Sequence, residues 1–103
     1  MLIIIDYDET YTAAPVLWGR LITMALEYGH TVVCCTMRPD NDVHFNADVI
    51  ADMGQYDVEI IYAADHTDKW AAVIAAGYEP GSAIWIDDRP MYIFMDKTRE
   101  LPD

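Results

Sequence analysis

Apolar residues in this chain form short unbroken runs, separated by stretches in which they recur at helical spacing. Residues 2–6 open with Leu2, Ile3, Ile4 and Ile5 and end in Asp6. Val32, Val33, Cys34 and Cys35 make a second run inside residues 31–36, and two more occupy residues 58–62 and 83–87. Runs of this length, apolar at consecutive positions instead of alternating, read as strands buried on both faces. Between the first two the period changes: Leu17, Leu21, Met24, Ala25 and Tyr28 make an apolar stripe over residues 15–28. Thr12 can cap that helix, Pro15 suits its first turn and Gly29 ends it. Shorter helices are expected over residues 43–53, closed near Gly54, and over residues 67–76, opened by Asp65 or Thr67 and closed by Gly77. A last helix is expected to begin at Met91, after Pro90.

Strand and helix in alternation, joined by short loops, predict an α/β fold: one parallel sheet of about four strands with helices on both faces. At 103 residues the chain makes a single domain, residues 1–103. Sheets of this kind hold their ligands outside the carboxyl ends of the strands, where strand order reverses. The polar residues just after the strands are therefore the ones that need an explanation.

Asp6 and Asp8 follow the first strand, and side-chain alternation turns them toward the same side. Two carboxylates held so close are costly unless a cation lies between them or one takes a proton. Thr10 follows on the same loop. Thr36 and Arg38 follow the second strand, Lys69 stands at the start of the third helix, and Asp87, Asp88 and Arg89 follow the fourth strand. Arg38, Lys69 and Arg89 thus place half of the six basic residues at one end of the sheet, and Arg20, Lys97 and Arg99 are the others.

The net charge of −12, from eighteen acidic and six basic residues, argues against tracking along a nucleic-acid backbone. An anionic substrate would need local positive charge and a metal inside a repelling exterior. Together these residue types can carry out phosphoryl transfer. Asp6 is placed to attack phosphorus, and Asp8 to give a proton to the leaving oxygen and then take one from water. Mg²⁺ would be held by Asp6, by the backbone carbonyl of Asp8 and by Asp87 or Asp88. Thr36 and Lys69 would bind and screen the phosphoryl group.

Each residue also has a plainer reading. Asp-x-Asp occurs in ordinary turns, Asp87-Asp88 could cap a helix, and lysines are usually solvated. Arg38 could contact substrate or pair with Asp40 or Asp42. His44 and His66 read as surface or capping residues, since no second ligand stands at metal spacing. Asp65, His66 and Asp68 make only a weak second metal set. Trp18, Trp70 and Trp85 read as core or interface aromatics, Trp70 being able to wall the pocket beside Lys69. Cys34 and Cys35 point to opposite faces of their strand and read as buried free thiols. No apolar run approaches the ~18 residues of a membrane span, and no basic-then-apolar leader precedes the first strand, so a cytoplasmic setting without membrane contact is expected.

Ile-Ile-Ile-Asp-Tyr-Asp-Glu-Thr, a strand ending in Thr36, Lys69 at a helix start and Ile-Trp-Ile-Asp-Asp occur in an order that resembles the haloacid dehalogenase superfamily of phosphohydrolases. The motifs run from residue 2 to residue 89, and aspartate at both positions of the first looks like the phosphatase branch. The resemblance implies a Rossmann-like sheet of order 4-1-2-3 and Mg²⁺-dependent phosphomonoester hydrolysis through an aspartyl-phosphate. Asp6, Asp8, Thr36 and Lys69 would be catalytic, Asp6, Asp8, Asp87 and Asp88 would serve the metal, and Thr10, Arg38 and Arg89 the substrate. Neither loop that usually carries a cap domain has room for one, so the site should be open. Capless members often act on macromolecules or borrow a second copy as a lid, which makes a homo-oligomer one expectation. Thr36-Met37-Arg38 and Ile86-Asp87-Asp88-Arg89 are also similar to motifs in the phosphatase domain of phage-type polynucleotide kinase/3′-phosphatases, pointing to nucleotides or nucleic-acid 3′-phosphates. The competing expectations are a regulatory module that binds metal without turnover, and a phosphotransferase.

Overall fold

The computed structural model describes residues 1–94. Strands β1 (Leu2–Ile5), β2 (Thr31–Thr36), β3 (Glu59–Tyr62) and β4 (Ile84–Ile86) form one all-parallel sheet in the order β3-β2-β1-β4. This is the expected 4-1-2-3 read from the opposite edge. Ile3 lies beside Val32 on one side and Ile84 on the other, and Ile5 beside Cys34 and Ile86. The unbroken apolar runs of β1 and β2 are explained by that central position, because both of their faces are covered.

Helices α1 (Pro15–Glu27) and α2 (Ala47–Gly54) cover one face, with Ile22, Ala25, Val49 and Met53 packed on Ile3, Ile5, Val32 and Cys34. Helix α3 (Lys69–Ala75) covers the other, with Ala72 and Val73 against Ile4, Val33 and Cys35. Right-handed crossovers account for this split. The connections β1 to β2 and β2 to β3 advance in one direction and put their helices on the same side. The connection from β3 runs back past β2 and β1 to reach β4, so its helix lands on the opposite side. Each fully buried aliphatic side chain, such as Ile5 or Ile22, contributes ~1.5–3 kcal/mol.

Several local expectations need correction. The second strand has the expected bounds, but the other three are shorter than read: β1 stops at Ile5, β3 starts at Glu59, and β4 covers only Ile84–Ile86. On α1 the buried positions are Gly19, Ile22 and Ala25, with Trp18 packed beside them, whereas Leu17, Met24 and Tyr28 are exposed. The helix carries two neighbouring apolar stripes at the same spacing, and periodicity does not choose between them. Thr12 does not cap α1; its hydroxyl accepts from the Glu9 amide at 3.0 Å, and the helix has Ala14 at its N-cap. Gly29, at φ +82°, does end α1 in the left-handed conformation. Helix α2 starts at Ala47, not at 43, because the Asp42 carboxylate turns the chain first by accepting from the amides of His44 and Phe45. Asp68, and neither Asp65 nor Thr67, caps α3 by accepting from the Ala71 amide at 2.8 Å. After β4 the described residues form a single short turn, Pro90–Tyr92. The remainder of the expected last helix lies outside them.

Gly19 sets how closely α1 approaches the segment after α2. A Cβ at this position would stand 2.4 Å from the Tyr56 hydroxyl, while the next ring atom is 3.4 Å away. Gly19→Ala is therefore expected to destabilise by about 1–3 kcal/mol despite the better helix propensity of alanine. Removing the hydroxyl with Tyr56→Phe should cancel most of that penalty, and urea denaturation of both single variants and the double variant measures the coupling. Among the described residues, no helix is long and apolar enough to cross a membrane.

Candidate active site

Beyond Ile5 the chain keeps one more sheet bond, from the Asp6 amide to Ile86 O at 2.9 Å, and then folds into a wide turn over Tyr7–Tyr11. The Tyr11 amide closes the turn on Asp6 O and the Thr12 amide on Tyr7 O. Glu9 takes a left-handed backbone, φ +60°, which costs a non-glycine residue ~1 kcal/mol or more. Buried Tyr7 pins the turn from below, its hydroxyl donating to Asp52 of α2 at 2.6 Å. Asp8 is thereby left at the rim while Thr10 is directed back beneath it.

Asp6 is buried and its carboxylate meets two side-chain donors, Lys69 and Thr10. Lys69, itself only 1% exposed, donates to Asp6 Oδ1 at 2.9 Å and to Asp87 Oδ2 at 2.6 Å. The Thr10 hydroxyl lies 3.1 Å from both Asp6 Oδ2 and Asp88 Oδ1, and it accepts from the Asp88 amide at 3.2 Å. The Arg89 amide donates to Asp87 Oδ1 at 2.9 Å. Groups drawn from the ends of β1 and β4 and the start of α3 thus converge at the point where strand order reverses on either side of β1, as the topology rule requires.

A cleft of about 240 Å³ opens here, lined by Asp6, Asp8, Thr36, Lys69, Asp88 and Arg89 together with Glu9, Met37 and Tyr92. Buried Thr36 lines it, its hydroxyl accepting from the Arg38 amide at 3.4 Å. Arg89 is half exposed at the mouth, 3.8 Å from Glu9 and 3.9 Å from Asp88. A larger groove of about 670 Å³ runs along α1 and α2, lined by Arg20, Met24, Asp52 and Tyr56, but none of the converging residues reaches it. Size alone would favour the groove; the chemistry lies in the smaller cleft.

Burial pushes the Asp6 carboxyl up to about 6, against the pull of Lys69 and with help from the Asp87 charge and a hydrogen bond to Asp88. The Asp88 carboxyl is held below its ordinary range, chiefly by that same bond with Asp6. Burial alone would lower Lys69, but its bond to Asp87 and the Asp6 charge raise it above an ordinary lysine. Two carboxylates brought this close on a shared hydroxyl mark a place that suits a cation. One carboxylate oxygen each from Asp6, Asp87 and Asp88 lie within 4.8 Å of one another, a grouping of oxygen donors that could hold a metal ion. The cleft wall carries Asp6, Asp8, Glu9 and Asp88 against Lys69 and Arg89, and Asp87 adds a further carboxylate behind Lys69, so negative charge is in surplus. A divalent ion would reduce that surplus, and without one a phosphate dianion would be repelled.

Asp6, Thr10, Thr36, Lys69, Asp87, Asp88 and Arg89 are therefore brought together as the sequence implied. The Asp8 carboxylate lines the cleft but stands apart from the three-carboxylate cluster. Arg38 pairs neither with Asp40 nor with Asp42; it grips Asp8 and Asp48. Asp48 went unrecognised because nothing in a ten-residue separation marks it, and only the packing of α2 brings it to Arg38. Glu9 also lines the cleft, brought there by the turn over Tyr7–Tyr11, and no spacing in the sequence marks it. His44, Asp65 and His66 are exposed and Asp68 caps α3, so no second cluster forms among the described residues. Trp70 does not wall the cleft; it packs on Phe94 at 4.8 Å and lines a separate recess with Trp85. Cys34 and Cys35 are buried free thiols, Cys35 pushed up to about 12 by burial, and neither is poised to react. Comparison with protein-family models, curated proteins and solved structures found no match to this chain.

Proposed function

We propose that the chain is a capless phosphomonoesterase of the haloacid dehalogenase type, dependent on Mg²⁺ and acting through an aspartyl-phosphate. The observation that carries this reading is the convergence of Asp6, Lys69, Asp87 and Asp88, drawn from three separate segments, into one cluster beside a cleft with a surplus of negative charge that a divalent ion would reduce.

Asp6, Asp87 and Asp88 would hold Mg²⁺, which when bound neutralises the repulsion between nucleophile and phosphate. The chain's own residues do the rest. An Asp6 carboxylate oxygen forms a bond to phosphorus as the ester P–O bond breaks, and the departing alkoxide takes its proton from Asp8. Asp8 enters this step carrying the proton it took from water in the preceding turnover, while Arg38 stays bonded to the lone pairs its two oxygens retain. In the second step water attacks phosphorus, its proton goes to Asp8, and the bond to Asp6 breaks to release inorganic phosphate. Lys69 keeps Asp6 ionised and aimed, Thr36 donates to a non-bridging oxygen, and Thr10 holds Asp6 and Asp88 in register. Arg89, at the rim, suits a second anionic group, in keeping with nucleotides or 3′-phosphorylated nucleic-acid ends as substrates. A phosphotransferase would differ only in the acceptor. We place the protein in the cytoplasm, where two buried thiols would stay reduced, with a second copy as one candidate lid for the open cleft.

The test is release of phosphate from an aryl phosphate, with Mg²⁺ and with the metal chelated, extended to mononucleotides and 3′-phosphorylated oligonucleotides. Turnover should be Mg²⁺-dependent and should fall to background on chelation. Tight Mg²⁺ binding without phosphate release from any ester would instead identify a metal-binding module.

A further inference from the structure

Arg38 spends all of its hydrogen-bonding capacity within the protein. A guanidinium carries five N–H donors. Nε donates to Asp8 Oδ2 at 3.0 Å and Nη2 to Asp8 Oδ1 at 2.7 Å. Nη1 donates to Asp48 Oδ1 at 2.6 Å and Nη2 to Asp48 Oδ2 at 3.1 Å, and the remaining Nη1 proton goes to Phe45 O at 3.2 Å. The group also lies over the Tyr7 ring at 5.1 Å and the Phe45 ring at 5.0 Å, with its side chain only 13% exposed. No donor remains for a phosphate oxygen unless one of these bonds breaks.

Two ties therefore join α2 to the loop that carries Asp8. One is the Tyr7–Asp52 bond beneath the loop, and the other is the chain Asp8–Arg38–Asp48 above it. Arg38 itself is anchored where its loop is pinned, by Asn46 donating to Pro39 O at 2.8 Å. We infer that Arg38 and Asp48 are positioning residues that fix the Asp8 carboxylate at the rim of the cleft, and that Arg38 is not a substrate-binding cation. The inference rests on the phosphatase reading, since it assigns these residues to the aim of that reading's proton donor.

Aim is separable from binding by the leaving group. Para-nitrophenolate departs without a proton, whereas the alkoxide of glycerol phosphate needs one. Asp48→Asn, at a half-exposed position, weakens the far anchor of the clamp. Arg38→Lys keeps the charge but replaces a planar fork by a point donor. Both variants, checked for native melting behaviour, are compared with the wild type in Mg²⁺ on para-nitrophenyl phosphate and glycerol phosphate. For each, kcat on glycerol phosphate should fall about tenfold or more while kcat on para-nitrophenyl phosphate falls less than about threefold, with KM within about twofold throughout. An unchanged kcat with a strongly raised KM would make Arg38 a substrate ligand and overturn the inference, as would equal losses on both esters or no loss on either. A wild type inert toward both esters overturns the phosphatase reading, and the clamp with it.

Discussion

Asp6→Asn should abolish turnover and at the same time make the metal-free protein more stable. The loss of activity is expected to reach at least about 10⁴-fold, because no other carboxylate is placed to attack phosphorus in its stead. The gain in stability comes from burial. The Asp6 carboxyl rises from 3.8 to about 6 in the folded protein, so folding favours its neutral form. Such a group adds stability below its unfolded value, near 3.8, and that contribution is lost as pH rises through about 6. The span corresponds to ~3 kcal/mol at neutral pH, the penalty of keeping the charge where a neutral amide would be tolerated.

Asn removes the charge but retains the shape, so the variant should gain roughly 1–3 kcal/mol at pH 7.5 without metal. Wild-type stability should fall between about pH 4 and pH 6 and level off above, and the variant should not show this fall. Asp48 and Asp88, whose carboxyls are lowered, contribute in the opposite sense and below this window, where stability is lost as pH falls. Urea denaturation at several pH values, in chelator, measures all of this. An Asp6→Asn protein less stable than wild type at pH 7.5 would show that the pairing with Lys69 outweighs burial.

Lys69→Met carries the largest expected loss of stability. Its ammonium is nearly inaccessible and bonds both Asp6 and Asp87. Methionine would fill the space of the stem and leave two buried carboxylates facing each other. Breaking a buried ion pair in this way costs about 3–5 kcal/mol, more than the surplus left to many domains of this size after one core defect. Mg²⁺ should restore a substantial part, because the same carboxylates can then share a dication. The check is the urea midpoint of Lys69→Met with and without Mg²⁺, alone and combined with Asp6→Asn. A metal-free loss below about 1 kcal/mol would mean that the pair is effectively solvated. In the double variant the two changes should be strongly non-additive, since the neutral amide removes one of the charges that Lys69 offsets.

The activity and stability effects meet at one physical point. The cleft concentrates carboxylates that repel each other, and a lysine, a proton on Asp6 below pH about 6 and a place for a cation are three ways to reduce that repulsion. Lys69 is always present. The proton and the metal compete for the same oxygens, so Mg²⁺ should bind more weakly as pH falls below about 6, where Asp6 keeps its proton.

Much of this was determined along the chain alone. Unbroken apolar runs at Leu2–Ile5 and within Thr31–Thr36 demanded strands covered on both faces, which only a parallel sheet with helices on each side provides. Once that sheet is granted, residues after strands must meet at one edge, so Asp6, Thr36, Asp87 and Asp88 could be grouped before any coordinates. These inferences hold because strand periodicity and crossover handedness are local and nearly universal. The tertiary structure decided what local rules leave degenerate: which of two apolar stripes on α1 turns inward, where Asp42 delays the start of α2, and which acids receive Arg38. Its partners Asp8 and Asp48 lie thirty residues before it and ten after it. No spacing rule links such positions, because their meeting depends on how α2 settles against the loop after β1, an outcome of packing across the whole core.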